Sequence, residues 1–123
     1  MANKKILIID DDKVLTLLLS RKLSEAGYEV VNAFDGVHGL RLAFQEKPDL
    51  ILLDIRFPAG GGINTLEKLS SSTKTWNIPI IIITGYDEPE IKQQISGYNV
   101  IEYMIKPIEP QSLIDKIREV IGE

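Results

Sequence analysis

The sequence has no cysteine, and only one histidine and one tryptophan. Without cysteine there can be no disulfide, no thiolate metal centre and no cysteine nucleophile. A clustered basic surface is also missing: the formal net charge is −4 and the pI is near 5.0. Phosphate backbones require such a surface, so direct nucleic-acid binding by this chain is not expected. No apolar run approaches the roughly 20 residues of a membrane helix. Lys4 and Lys5 precede an apolar stretch at residues 6–9, but Asp10, Asp11 and Asp12 end it. A secretory h-region needs about 7–15 apolar residues. The expectation is a cytoplasmic protein with no membrane partner. Linkers and low-complexity segments are lacking too, so residues 1–123 read as a single domain with no effector domain in this chain.

Short continuous apolar runs are present at residues 6–9, 30–31, 50–53 and 80–83, with a weaker one at 100–105. Continuous rather than alternating apolar character marks strands of a parallel sheet covered on both faces. Helical periodicity fills the gaps. In residues 14–26, Val14, Leu15, Leu18, Leu19 and Leu23 form one broad apolar side, with Gly27 as terminator. Leu113, Ile114, Ile117, Val120 and Ile121 form another, behind Pro110. Residues 36–46, 63–72 and 87–96 are weaker candidates, the last with an Asp87 cap and Pro89 in its first turn. Strict alternation of five strands and five helices predicts an α/β, flavodoxin-like doubly wound (βα)5 sandwich with right-handed crossovers.

Ligands of such folds bind beyond the carboxyl ends of the strands. There stand Asp10, Asp11 and Asp12, then Asp54, then Thr84-Gly85, then Lys106-Pro107. In the sheet order 2-1-3-4-5 the first and third strands are neighbours, and Asp10, Asp11 and Asp54 converge. Two like charges about 4 Å apart cost about 4 kcal/mol at an effective dielectric near 20, so such a cluster calls for a cation. Oxygen ligands without histidine or cysteine suit Mg²⁺. With the Lys106 charge and the Thr84 hydroxyl, this is equipment for phosphoryl transfer.

The set "IIDDD", "LLLDIRFP", "IIITG" and "YMIKP" resembles the receiver domain of two-component response regulators across the whole chain. The order 2-1-3-4-5 is itself partly a property of that family. The resemblance implies that Asp54 is phosphorylated by a sensor histidine kinase or phosphotransfer protein. It implies Mg²⁺ on Asp10, Asp11, Asp54 and the Arg56 carbonyl, and phosphoryl oxygens bound by Thr84 and Lys106. A cis Lys106–Pro107 bond and a switch role for Thr84 and Tyr103 follow from the same likeness. Phosphorylation would then remodel the surface of the fourth helix, fifth strand and fifth helix toward a downstream effector, with a phosphorylation-dependent homodimer as an option.

Two other functions compete. A dehalogenase-like phosphohydrolase needs an acid two residues after the acceptor, where this chain has Arg56. A phosphate-independent pseudo-receiver docking module should have lost an acid, Thr84 or Lys106, and none is lost. An enzyme in the ordinary sense is not expected. His38 reads as an inert surface residue and Trp76 as packing after the third helix. Asp12 reads as a helix cap. Asn99 stands where the family prefers glycine, as a residue tolerant of left-handed backbone. Gly60, Gly61 and Gly62 lack the Lys-Ser/Thr of a nucleotide loop and read as a hinge between acceptor strand and third helix. Gly85 should leave open space beside the phosphate and, with Arg56 and Tyr86, influence hydrolysis of the acyl phosphate.

Overall fold

The structure, a computed structural model, describes residues 3–56, 61–85 and 89–122. Five strands alternate with five helices: β1 (Lys5–Ile9), α1 (Lys13–Glu25), β2 (Glu29–Ala33), α2 (Gly36–Glu46), β3 (Leu50–Asp54), α3 (Gly61–Ser71), β4 (Ile80–Thr84), α4 (Pro89–Ile95), β5 (Val100–Ile105) and α5 (Pro110–Ile121). The strands are parallel in the order β2-β1-β3-β4-β5. The doubly wound expectation and its strand order therefore hold.

The apolar runs resolve into two interleaved faces, because successive strand residues point to opposite sides. Leu7, Ile9, Ile51, Leu53, Ile80 and Ile82 pack with Leu66 and Leu69 of α3, Ala43 of α2 and Ile95 of α4. Ile6, Ile8, Leu50, Leu52, Ile81 and Ile83 pack with Leu19 and Leu23 of α1 and with Leu113, Ile114 and Ile117 of α5. The central strands thus need apolar residues at every position. β5, at the sheet edge, is only partly buried, and its pairing with β4 slips where Ile101 bulges out between Val100 and Glu102.

Helix ends follow local chemistry. Asp12 caps α1 by accepting from Leu15 N, Asp35 caps α2 through His38 N, and Glu109 caps α5 through Gln111 N and Ser112 N. The Asp12 cap is as expected. Gly27 follows α1 with φ of +102°, a conformation favouring glycine.

Several expectations are corrected. Val14 and Leu18 are exposed, and the buried line of α1 is Thr16, Leu19 and Leu23. Residues 14–19 carry more apolar side chains than one helix face can bury, and contact with the sheet chose the phase. Trp76 is exposed because Thr75 and Ile78 take the inward positions of its turn, Thr75 Oγ1 donating to the Leu69 carbonyl at 2.6 Å. Asn99 does not adopt left-handed backbone; among the described non-glycine residues only Lys47 does, with φ of 49°. α3 begins at Gly61, so Gly61 and Gly62 belong to its first turn rather than to a hinge. The Asp87 cap, Tyr86 and Gly60 lie outside the described residues.

Candidate functional site

Register explains why the acids meet. Ile9 pairs with Leu53 across β1 and β3, so Asp10, one residue past its strand, lies level with Asp54 at the end of its own. The Asp10 backbone N–H donates to the Ala33 carbonyl at 3.1 Å, which extends the ladder with β2 by one bond. Asp10 and Asp54 are buried and Asp11 is exposed; one carboxylate oxygen from each lies within 4.8 Å of the others.

Each buried acid is held by one backbone donor. Asp12 N donates to Asp10 Oδ1 at 2.8 Å, and Arg56 N donates to Asp54 Oδ1 at 2.9 Å. The remaining oxygens face Lys106, whose Nζ is 3.3 Å from Asp54 Oδ2 and 3.0 Å from Asp10 Oδ2. The contact with Asp10 is an ion pair without hydrogen-bond alignment, so that among the described residues the buried Oδ2 has no aligned donor. Burial pushes the Asp10 carboxyl above the usual range, the Asp54 charge adds to this, and the Asp12 N–H and Lys106 only partly oppose it. Burial disfavours the Lys106 ammonium, but Asp10 and then Asp54 outweigh it and hold its pKa above the ordinary lysine value.

The backbone aims Lys106. Its N–H donates to the Thr84 carbonyl at 2.7 Å, fastening β5 beside β4, and the Lys106–Pro107 bond is cis. Thr84 is buried at the carboxyl end of β4, where Ile83 pairs with Asp54 and Thr84 itself with Ile105. Gly85 is exposed, and a side chain there would meet nothing within 4 Å, as expected of open space at this end of β4. Tyr103 is partly buried on β5 against the α4 side of the core, with Lys92 Nζ 5.0 Å from its ring centre. The sequence-predicted residues Asp10, Asp11, Asp54, Arg56, Thr84 and Lys106 thus share one end of the sheet, and Tyr103 stands three residues before that end.

The donor set fits a hard divalent cation. Among the described residues carboxylates alone converge, one buried oxygen has no aligned hydrogen-bond donor, and no sulfur or imidazole joins them. His38, read from the sequence as an inert surface residue, takes no part in this cluster, but its Nδ1 is 2.9 Å from Asp35 Oδ2 on the exposed start of α2. Sequence reasoning also missed the exposed apolar side of α1, made by Val14, Leu17 and Leu18. A surplus of apolar residues over one helix face was the available signal. No described helix is long and apolar enough to cross a membrane.

A family model described as the response regulator receiver domain matches residues 6–118. Sporulation initiation phosphotransferase F of Bacillus subtilis is 33% identical over 121 residues, which cover 98% of this chain and 93% of that protein. The DNA-binding dual master transcriptional regulator RpaA of Synechocystis is 34% identical over 119 residues, 95% of this chain and 48% of that protein. The chain spans about half the length of that regulator. Chemotaxis protein CheY4 of Vibrio cholerae, in a structure obtained at low pH, matches with a TM-score of 0.89 at 28% identity over 97% of this chain and 99% of that one.

Proposed function

The chain belongs to the response-regulator receiver family, and from that premise we propose that Asp54 accepts a phosphoryl group from the phosphohistidine of a sensor histidine kinase or phosphotransfer protein. The observation that carries the reading is the convergence of three carboxylates with an ammonium bridging the two buried ones. Asp10, Asp11, Asp54 and the Arg56 carbonyl would hold Mg²⁺. Bound there, the ion supplies positive charge that lets an anionic phosphoryl group approach a carboxylate cluster.

An Asp54 carboxylate oxygen attacks phosphorus in line with the imidazole nitrogen. The O–P bond forms as the N–P bond breaks, and the imidazole keeps the bonding pair. Arg56 N–H orients the carboxylate through Oδ1. Lys106 shifts its charge from carboxylates to the incoming phosphoryl oxygens, and the Thr84 hydroxyl donates to another. Movement of Thr84 toward the phosphoryl group then biases Tyr103, and with it the surface of α4, β5 and α5, toward a downstream effector or a second copy of the chain. These residues act as a receiver domain and signalling phosphoacceptor, and hydrolysis of the acyl phosphate would reset them.

Incubation with Mg²⁺ and a small acyl phosphate should add one phosphoryl group by mass spectrometry, and a chelator should prevent it. No gain in the wild-type protein would overturn the reading.

The phosphodonor's docking surface follows from α1. Val14, Leu17 and Leu18 are 80%, 67% and 45% exposed on the helix that starts two residues after Asp11. Spacing of i, i+3 and i+4 puts them on one side, an apolar patch bordering the site. Leu17→Lys is therefore expected to slow transfer from a phosphohistidine protein by roughly tenfold or more. Phosphorylation by acetyl phosphate, which needs no docking, should be unchanged. Equal slowing with both donors would place the defect in the chemistry rather than in docking.

A further inference from the structure

We propose that the opposite end of the sheet carries a second binding site, for a small anion with an aromatic or aliphatic body. β3 and β4 run from this end to Asp54 and Thr84, so the two sites are separated by a strand length, on the order of 15–20 Å. The links that enter these strands, together with the last turn of α2, enclose a cleft of about 380 Å³ lined by Phe44, Lys47, Pro48, Lys74, Asn77 and Ile78. That volume lies within the range of about 300–1,000 Å³ typical of small-molecule sites.

The lining divides by chemistry. Pro48 and Ile78 are buried and form an apolar floor, and Phe44 is 39% exposed, an aromatic face left open beside it. Lys47 and Lys74 supply two ammonium groups. Lys5, Lys106 and Lys116 all hold carboxylates, whereas Lys47 and Lys74 have no acidic partner among the described residues. Two unneutralised cations beside an apolar floor select an anionic head on an apolar body, and the Asn77 amide offers a further hydrogen bond. Lys47 stands, moreover, at a left-handed helix end where glycine is the favoured residue, so its side chain is kept against the preference of the backbone. The site shares no residue with the phosphoacceptor machinery and needs no metal.

Phenylphosphonate is the probe, and Trp76, the one tryptophan, reports on it from between Lys74 and Asn77. Titration should give a saturable change in Trp76 fluorescence with a Kd on the order of 1 mM, in keeping with so small a ligand. Inorganic phosphate has the head alone and benzyl alcohol the body alone; each should bind at least roughly tenfold more weakly. Backbone amide shifts should move at residues 44–48 and 74–78. Lys47→Gly, which suits the left-handed backbone, combined with Lys74→Gln should abolish the response while Mg²⁺-dependent phosphorylation of Asp54 persists. No saturable response, an equal response to inorganic phosphate, retention in the double variant, or shifts centred on Asp54 would each overturn the proposal.

Discussion

Asp54→Asn is expected to abolish the phosphoryl gain and to leave a folded, slightly more stable protein. Asparagine keeps the shape of the side chain and an oxygen to accept the Arg56 N–H, which holds Asp54 Oδ1 at 2.9 Å. It lacks the second carboxylate oxygen that, in the proposed transfer, attacks phosphorus, so the proposed chemistry should stop without disturbance of the packing. Stability should respond in the opposite direction. Asp54 is one of three acids whose oxygens lie within 4.8 Å of one another, two of them buried. A like-charge pair at about 4 Å costs about 4 kcal/mol at an effective dielectric near 20, and removing one charge relieves that repulsion. Lys106 loses one of its two partners but keeps Asp10 at 3.0 Å. The balance should be a gain of about 1 kcal/mol, seen as a rise of about 3–5 °C in Tm with chelator present. A variant that still gains the phosphoryl group would move the acceptor to Asp10 or Asp11. A lowered Tm would show that Lys106 pairing outweighs the repulsion between acids.

Gly62→Ala is expected to destabilise the fold by about 3 kcal/mol or more. Gly62 is buried in the first turn of α3, and a Cβ there would overlap the Ile55 carbonyl group and come within 2.6 Å of Ile55 Cα. The obstacle is backbone, and that backbone is pinned: Ile55 N donates to the Ile83 carbonyl at 3.2 Å, directly after Asp54. To admit a methyl group, either α3 must lift from the end of β3 or β3 must part from β4. Gly85→Ala is the internal control, since its added Cβ meets nothing within 4 Å and the change should stay within about 0.5 kcal/mol. Urea midpoints of the two variants measure the difference. A cost below about 1 kcal/mol for Gly62→Ala would mean that the junction yields, and would restore the hinge reading.

Much of the architecture was legible because a buried parallel strand has little freedom in composition. Residues 6–9, 50–53 and 80–83 must be apolar on both faces, and they sit within one residue of β1, β3 and β4. Polar residues at the carboxyl ends of these runs were legible for the same reason: an acid directly after four buried apolar positions is conspicuous. α2 was found with its bounds, Gly36–Glu46, and the structure adds the Asp35 cap at its start. α1 was found in place, and Leu15, Leu19 and Leu23 of its expected apolar side pack on the core; Val14 and Leu18 do not, because periodicity offers them as readily as Thr16, and only contact with β2 and α5 selects between them.

The residues of the site and the order in which they follow the strands were determined by the sequence alone: three acids, a threonine and a lysine, each at the end of an apolar run. Tertiary structure decided the rest, namely that the Lys106 ammonium stands against both buried carboxylates, that among the described residues Asp10 Oδ2 has no aligned donor, and that Gly62 is a contact surface rather than a hinge. The division has a physical cause. Burial along a strand is a local property, written into consecutive residues, whereas these three facts depend on register between strands distant in the chain and on how closely α3 approaches Ile55.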